Sequence, residues 1–119
     1  MNMNMNKFKK KYPFDKRKND ANTVLEKYPE RIPIVVQKQE NSVLPDVDKC
    51  KYLVPKDMTM SQFTFVIRKR IKLEPSQAIF VSVNHSLVAS SKLLSDVYHE
   101  QKDEDGFLYV FYTSENTFG

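Results

Sequence analysis

Glycine is nearly missing from this chain. Two of its 119 residues are glycine, Gly106 and Gly119, so there is no Gly-rich loop to cradle a phosphate. Cysteine occurs once, as Cys50, which excludes an internal disulfide and a cysteine-ligated metal cluster. With no resolving thiol encoded near it, Cys50 reads as inert rather than as a redox switch. The two histidines, His85 and His99, stand alone and read as solvated surface residues rather than ligands or bases. No apolar run approaches the length of a membrane span, and the opening MNMNMNKFKKKY has basic residues with no apolar stretch behind them, unlike a secretory signal. No nucleophile sits near a base, and no carboxylate pair stands outside one acidic turn. These absences predict one cytosolic domain, not an enzyme, with no cofactor and no metal.

What is present is unevenly charged. The net charge is +4, with Lys7, Lys9, Lys10, Lys11, Lys16, Arg17 and Lys18 crowded at the start and Arg68, Lys69, Arg70 and Lys72 in a second group. Glu100, Asp103, Glu104 and Asp105 gather at the opposite sign. Such asymmetry suggests an acidic partner, whether nucleic acid, anionic lipid or acidic peptide. A merely solvated, solubilising face is the plainer reading. Nucleic acid is disfavoured because no recognition motif or stacking platform accompanies the basic residues.

Along the chain, residues 1–6 read as disordered and 7–12 as a short basic helix. Pro13 opens a second helix whose Ala21, Val24, Leu25 and Tyr28 form one apolar stripe, and Pro29 ends it. IPIVVQ (Ile32 to Gln37) and KYLVP (Lys51 to Pro55) predict strands, separated by the loop QENSVLPDVDK. TMSQFTFVIRKRIKLEP is the clearest helix, with a capping box of Thr59 and Gln62 and a buried face of Met60, Phe63, Val66, Ile67 and Ile71. AIFVSVN (Ala78 to Asn84) predicts a third strand, Asn84-His85 a turn, SKLLSDVYHEQ a short helix, DEDG a turn, and FLYVFY (Phe107 to Tyr112) a last strand buried on both faces. The fold class is α+β: one mixed sheet gripping one long helix. The expected division is a basic helical arm over 1–28, a sheet-based body over 29–114 and a flexible tail over 115–119.

The sequence closes on SENTFG. A terminal glycine serves no turn, bulge or cap, but it offers an acyl group with no Cβ to crowd an enzyme's narrow site. Alone, that ending would read first as an arbitrary terminus. It stands with RIPIVVQK, KYLVP, QFTFVIRKRI, KDEDGFLYVFY and ENTFG, in that order. Together these strings resemble the autophagy branch of the ubiquitin-like modifiers, the GABARAP family, from about Lys7 to Gly119. That family has a ubiquitin-like β-grasp body preceded by two extra helices.

The resemblance implies a function. Gly119 would be activated by an E1-like enzyme with ATP, passed through an E2-like enzyme with an E3-like partner, and joined to phosphatidylethanolamine, which anchors the protein to the autophagosome membrane. Phe118 would be gripped by these enzymes and by a deconjugating cysteine protease. Whether Gly119 is the natural end or follows processing stays open. Delivery to a vacuole or lysosome would follow, and the unconjugated form would be a monomer. Strand Lys51 to Val54 suits an edge left open for strand addition. Cargo receptors with aromatic-x-x-aliphatic motifs would bind there. By resemblance, the aromatic pocket is Asp20, Val24, Pro33, Val35, Lys51, Leu53 and Phe107. The aliphatic pocket is Tyr52, Val54, Pro55, Met58, Phe63 and Val66, and Arg31, Lys49, Lys51 and Arg70 meet acids flanking the motif. Phe63 and Val66 equally read as packing the long helix on the sheet. The alternative function is an unconjugated adaptor tethering vesicles or microtubules through the same groove.

Some positions depart from the family pattern. Cys50 replaces a usual basic residue, Ser61 a glycine and Ser82 a bulky apolar residue. Leu87-Val88-Ala89-Ser90-Ser91 lacks the usual proline-rich loop.

Overall fold

The computed structural model describes residues 6–115. Phe118 and Gly119 lie outside them, as do five of the six residues expected to be disordered. The sixth, Asn6, is ordered: its side chain accepts the Lys9 N–H and caps α1 (Lys7–Lys11). Pro13 stands at the N-cap of α2 (Phe14–Lys27), which ends at Tyr28, ahead of Pro29. The remaining elements are β1 (Arg31–Lys38), β2 (Lys51–Pro55), α3 (Met60–Arg70), β3 (Phe80–Val83), β4 (Ser86–Leu87), α4 (Leu94–Gln101) and β5 (Leu108–Thr113).

The five strands lie in the order β2-β1-β5-β3-β4. β1 and β5 run parallel in the middle of the sheet. The other pairs are antiparallel. β5 is therefore central, and its near-continuous apolar run is explained by cover on both faces. Leu108, Val110 and Tyr112 join the larger core with Ile32, Ile34 and Val36 of β1 and with Phe63 and Ile67 of α3. On the opposite face, Phe107 and Tyr109 form a smaller cluster with Val35, Phe8 of α1 and Ala21 of α2.

The long helix α3 begins at the expected capping box. Gln62 N–H donates to Thr59 Oγ1 at 3.2 Å, and Thr59 N–H to Gln62 Oε1 at 2.9 Å. It ends without glycine. Lys72 takes the left-handed conformation at φ 55, the Leu73 N–H donates to Arg68 C=O, and the Lys72 N–H to Lys69 C=O. That is a Schellman ending on a lysine.

Two expectations change. β3 spans Phe80–Val83 rather than Ala78 to Asn84, and it ends at Val83 because Asn84 and His85 both take positive φ, 51 and 67. They make a two-residue hairpin turn, and β4 returns along β3 with Val83 opposite Ser86. Paired positive φ is the turn geometry that matches strand twist. The α2 stripe is also shifted: Ala21 is buried, Val24 and Leu25 are half-buried, and Tyr28 is exposed. The other buried residue of α2 is Arg17, one helical turn before Ala21.

The substituted positions are accommodated. Ser61 is exposed at the start of α3. The 88–92 loop is tied to that start by Ser61 N–H to Ser90 C=O and Met60 N–H to Lys92 C=O, both 2.9 Å. Ser82 is buried, with no hydrogen bond from its Oγ to a described residue. No helix among the described residues is long and apolar enough to cross a membrane.

Candidate functional site

β2 forms one margin of the sheet, paired on one side with β1. Antiparallel pairing alternates the direction of successive main-chain groups. The Val36 N–H donates to Cys50 C=O at 2.8 Å and the Lys56 N–H to Glu30 C=O at 3.3 Å. Continuing that alternation, Tyr52 and Val54 bond inward to Ile34 and Ile32, their register partners. The main-chain groups of Lys51, Leu53 and Pro55 turn outward. Pro55 has no N–H to offer. The open edge thus presents the N–H and C=O of Lys51 and Leu53, with Arg31 Nη1 3.5 Å from the Leu53 carbonyl. Such a margin is a template for one short added strand.

Proline is tolerated inside β1 for the same reason. Pro33 faces Leu53 in a non-bonded pair, so its missing donor would point toward β5. The β5 ladder begins only at Ile34, opposite Leu108.

Side chains of β2 alternate between the two faces. Lys51 and Leu53 stand opposite Val35 and Pro33, on the face that carries α1 and α2. Phe107 and Val35 are fully enclosed there and form a floor. Pro33 is also buried, Val24 and Leu53 are half-buried, and Lys51 is exposed. Asp20 of α2 is half-buried and pairs with Lys16 at 3.3 Å. Tyr52 and Val54 take the opposite face. The Tyr52 ring meets Phe63 edge-on, with centroids 5.8 Å apart at 86°. Phe63 is completely buried, as its packing role anticipated, while Val66 and Met58 are half-buried against the same core. Pro55 alternates onto the Leu53 side, opposite Arg31, at the end of the strand.

The cations are arranged around this edge. Arg31, Lys49, Lys51 and Arg70 are all exposed. Lys49 Nζ sits 5.6 Å from the centre of the Tyr52 ring. Arg70 Nη2 bonds Asp48 Oδ1 at 3.2 Å. Burial pushes the Tyr52 phenol above its ordinary pKa, with Arg70 opposing the rise. Tyr52 Oη is itself buried and makes no hydrogen bond to a described residue. A cleft of about 250 Å³ lies between α1 and the loop before β2, lined in part by Lys7, Lys11, Lys38, Val47 and Cys50. Cys50 is half-buried and packs on the smaller core, as a small apolar residue does.

The family model described as "Autophagy protein Atg8 ubiquitin like" matches residues 16–119. The chain belongs to the Atg8 family. It is 54% identical over 112 residues to Autophagy-related protein 8 of Vanderwaltozyma polyspora, covering 94% of this chain and 95% of that protein. It is 50% identical over 117 residues to Autophagy-related protein 8d of Arabidopsis thaliana, with 98% of each covered. The crystal structure of Trypanosoma brucei ATG8 superposes with a TM-score of 0.90 at 45% identity, over 97% of this chain and 99% of that one. The resemblance read from the five sequence strings is therefore borne out, as is the ubiquitin-like α+β fold. The chain is an autophagy ubiquitin-like modifier.

In this Atg8 chain two ion pairs, Arg17–Asp105 and Lys9–Asp103, join the basic arm to the acidic turn, which sequence reasoning missed. Asp105 is completely buried. Its Oδ2 accepts from Arg17 Nη1 and from Tyr109 Oη, both at 2.5 Å, and its Oδ1 accepts the Phe107 N–H at 2.9 Å. Arg17 Nε donates to Tyr12 C=O at 3.0 Å. Burial opposes the Arg17 charge, but its interactions with Tyr109 and with the accepting Asp105 carboxylate outweigh it and raise the guanidinium's pKa. Burial, reinforced by the bond to Asp105, pushes Tyr109 far upward. Nearby, Lys9 Nζ bonds Asp103 at 2.5 Å. Burial there would raise the Asp103 pKa, yet the bond to Lys9 holds it below the usual value. Buried Gln37 anchors α1 through Phe8 N–H at 2.9 Å and Asn6 Oδ1 at 3.0 Å. Gly106 permits the close fit: at φ +96 it turns the chain where an added Cβ would lie 3.0 Å from Ala21. The paired surplus of opposite charge in the two segments was the available signal.

Proposed function

We propose that this Atg8-family chain is conjugated through Gly119 to phosphatidylethanolamine, and that it then recruits cargo receptors to the autophagosome membrane by adding their aromatic-x-x-aliphatic segments to the edge of β2. The Gly119 carboxylate attacks ATP in the E1-like enzyme, releasing pyrophosphate. The resulting acyl adenylate passes to a cysteine thiol with loss of AMP, then to the E2-like thiol. With an E3-like partner, the lipid amine displaces that thiol and forms an amide. Phe118 is the residue the conjugating and deconjugating enzymes grip. A two-chain lipid holds far more firmly than one acyl chain. Delivery to the vacuole or lysosome follows.

The observation that supports receptor binding is the open margin of β2. Its Lys51 and Leu53 main-chain groups face outward between half-buried apolar side chains on opposite faces. An added strand would place an aromatic residue over Pro33, Val35 and Phe107, and an aliphatic residue over Tyr52, Phe63 and Val66. Arg31, Lys49, Lys51 and Arg70 would meet flanking acids.

The test combines the protein with E1-like and E2-like enzymes, ATP and phosphatidylethanolamine liposomes. Mass spectrometry should find a gain of one lipid, and Gly119→Ala should abolish it. An unconjugated adaptor would gain no mass in either protein. In parallel, Leu53→Ala should weaken a Trp-x-x-Leu peptide at least several-fold by calorimetry, with unfolding unchanged to within about 1–2 kcal/mol for a half-buried leucine. Equal affinity would remove the groove assignment.

A further inference from the structure

Asp48, in the loop before β2, belongs to none of the residue sets drawn so far, yet it holds the one exposed arginine that α3 presents to this edge. Arg70 lies one helical turn past Val66, and its guanidinium reaches Asp48 at 3.2 Å. The pair stands beside the half-buried Tyr52, whose phenol is raised by burial and lowered by Arg70. Both members of the pair are open to water, Arg70 at 41% and Asp48 at 76% of full side-chain exposure. We propose that Asp48 is a specificity-determining residue of the peptide groove: it acts as an internal carboxylate that competes with an acidic residue of the peptide for Arg70. The inference rests on the peptide-binding reading given above.

The argument is one of competition. Arg70 has a fixed fork of donors, and Asp48 already engages one of them. A carboxylate brought in beside the motif must either displace Asp48 or share the guanidinium with it, and two carboxylates on one cation repel. Because the internal pair is exposed, it is weak enough to be displaced. Peptides without an acid leave it intact. Asp48 therefore discounts acidic peptides without affecting neutral ones, which narrows the range between them.

The test uses two synthetic peptides with the same Trp-x-x-Leu core, one flanked by glutamates and one by glutamines, titrated calorimetrically into the wild type, Asp48→Ala, Arg70→Gln and the double variant. Asp48→Ala should tighten the glutamate peptide about two- to five-fold, the range an exposed ion pair supports, and leave the glutamine peptide unchanged. In the Arg70→Gln background the gain should vanish. Asp46→Ala, which removes a carboxylate 4.0 Å from Lys38, controls for net charge and should not reproduce the effect. An equal gain for both peptides, an equal gain from Asp46→Ala, or a gain that survives loss of Arg70 would each overturn the proposal. If the wild type binds both peptides and Asp48→Ala changes nothing, only this inference fails. If it binds neither, the groove reading fails with it.

Discussion

Among the described residues two arginine–aspartate pairs differ in their access to water, and the difference separates structure from adjustment. Arg17–Asp105 is sealed, with side chains 9% and 0% exposed. Arg70–Asp48 lies in water. In the sealed pair, each carboxylate oxygen is used: one takes Arg17 and Tyr109, the other a main-chain N–H. Nothing can exchange there without stranding a charge, so the pair fixes α2 against the start of β5. The open pair strands nothing when it separates, because water takes both partners. The same two residue types therefore serve as a clasp at one site and as a displaceable contact at the other, and solvent access decides which.

The sharpest way to break the contrast is to cut the sealed pair. Asp105→Ala should cost about 3–5 kcal/mol in urea unfolding, since it leaves Arg17 buried and unpaired. Replacing both partners by apolar residues, Arg17→Met with Asp105→Leu, should recover much of that loss. If the single and double variants were equally unstable, packing rather than charge would be the cause.

A milder perturbation is pH. The Tyr109 phenol is raised in the folded protein above its ordinary value of 10.0. Its contribution is therefore full below about pH 10 and falls as pH rises toward the folded value. Asp103 is lowered from 3.8, so the stability it supplies is present above about pH 4 and falls as acid protonates it. Unfolding midpoints measured across pH should decline on both flanks, and Tyr109→Phe should make the alkaline decline shallower, with Tyr112, Tyr98 and Tyr52, also raised by burial, supplying the rest.

The smallest effect belongs to the open pair. Asp48→Ala or Arg70→Gln should move unfolding free energy by no more than about 0.5 kcal/mol. A loss of several kcal/mol would show that exposure does not distinguish the two pairs.

Much of the fold was legible because local rules agreed. Thr59 and Gln62 announced a helix start that formed as written, and KYLVP began and ended where its composition changed. β4 was not legible, since two residues carry no periodicity; Asn84-His85 announced a turn, but not that both residues would take the left-handed conformation that folds the chain back as a hairpin. The sealed pair was hidden for another reason. Arg17 sits in a run of lysines and Asp105 in a run of acids, and only tertiary packing selects one member of each for burial. At the candidate edge, the strand and its neighbours were readable, but the outward turn of Lys51 and Leu53 depends on register. So does the placing of Pro55 on the Leu53 side.

That proline has a consequence for crowding. Under the proposed lipid conjugation, copies gathered on a bilayer would bring many identical sheet margins together, the condition under which edge-to-edge polymers grow. Here the outward row of donors stops after Leu53, and the opposite margin is the two-residue β4. Among the described residues neither border is long enough to favour a stack of copies, so the edge proposed for peptides would be open to one short strand and poorly suited to continuous edge-to-edge pairing.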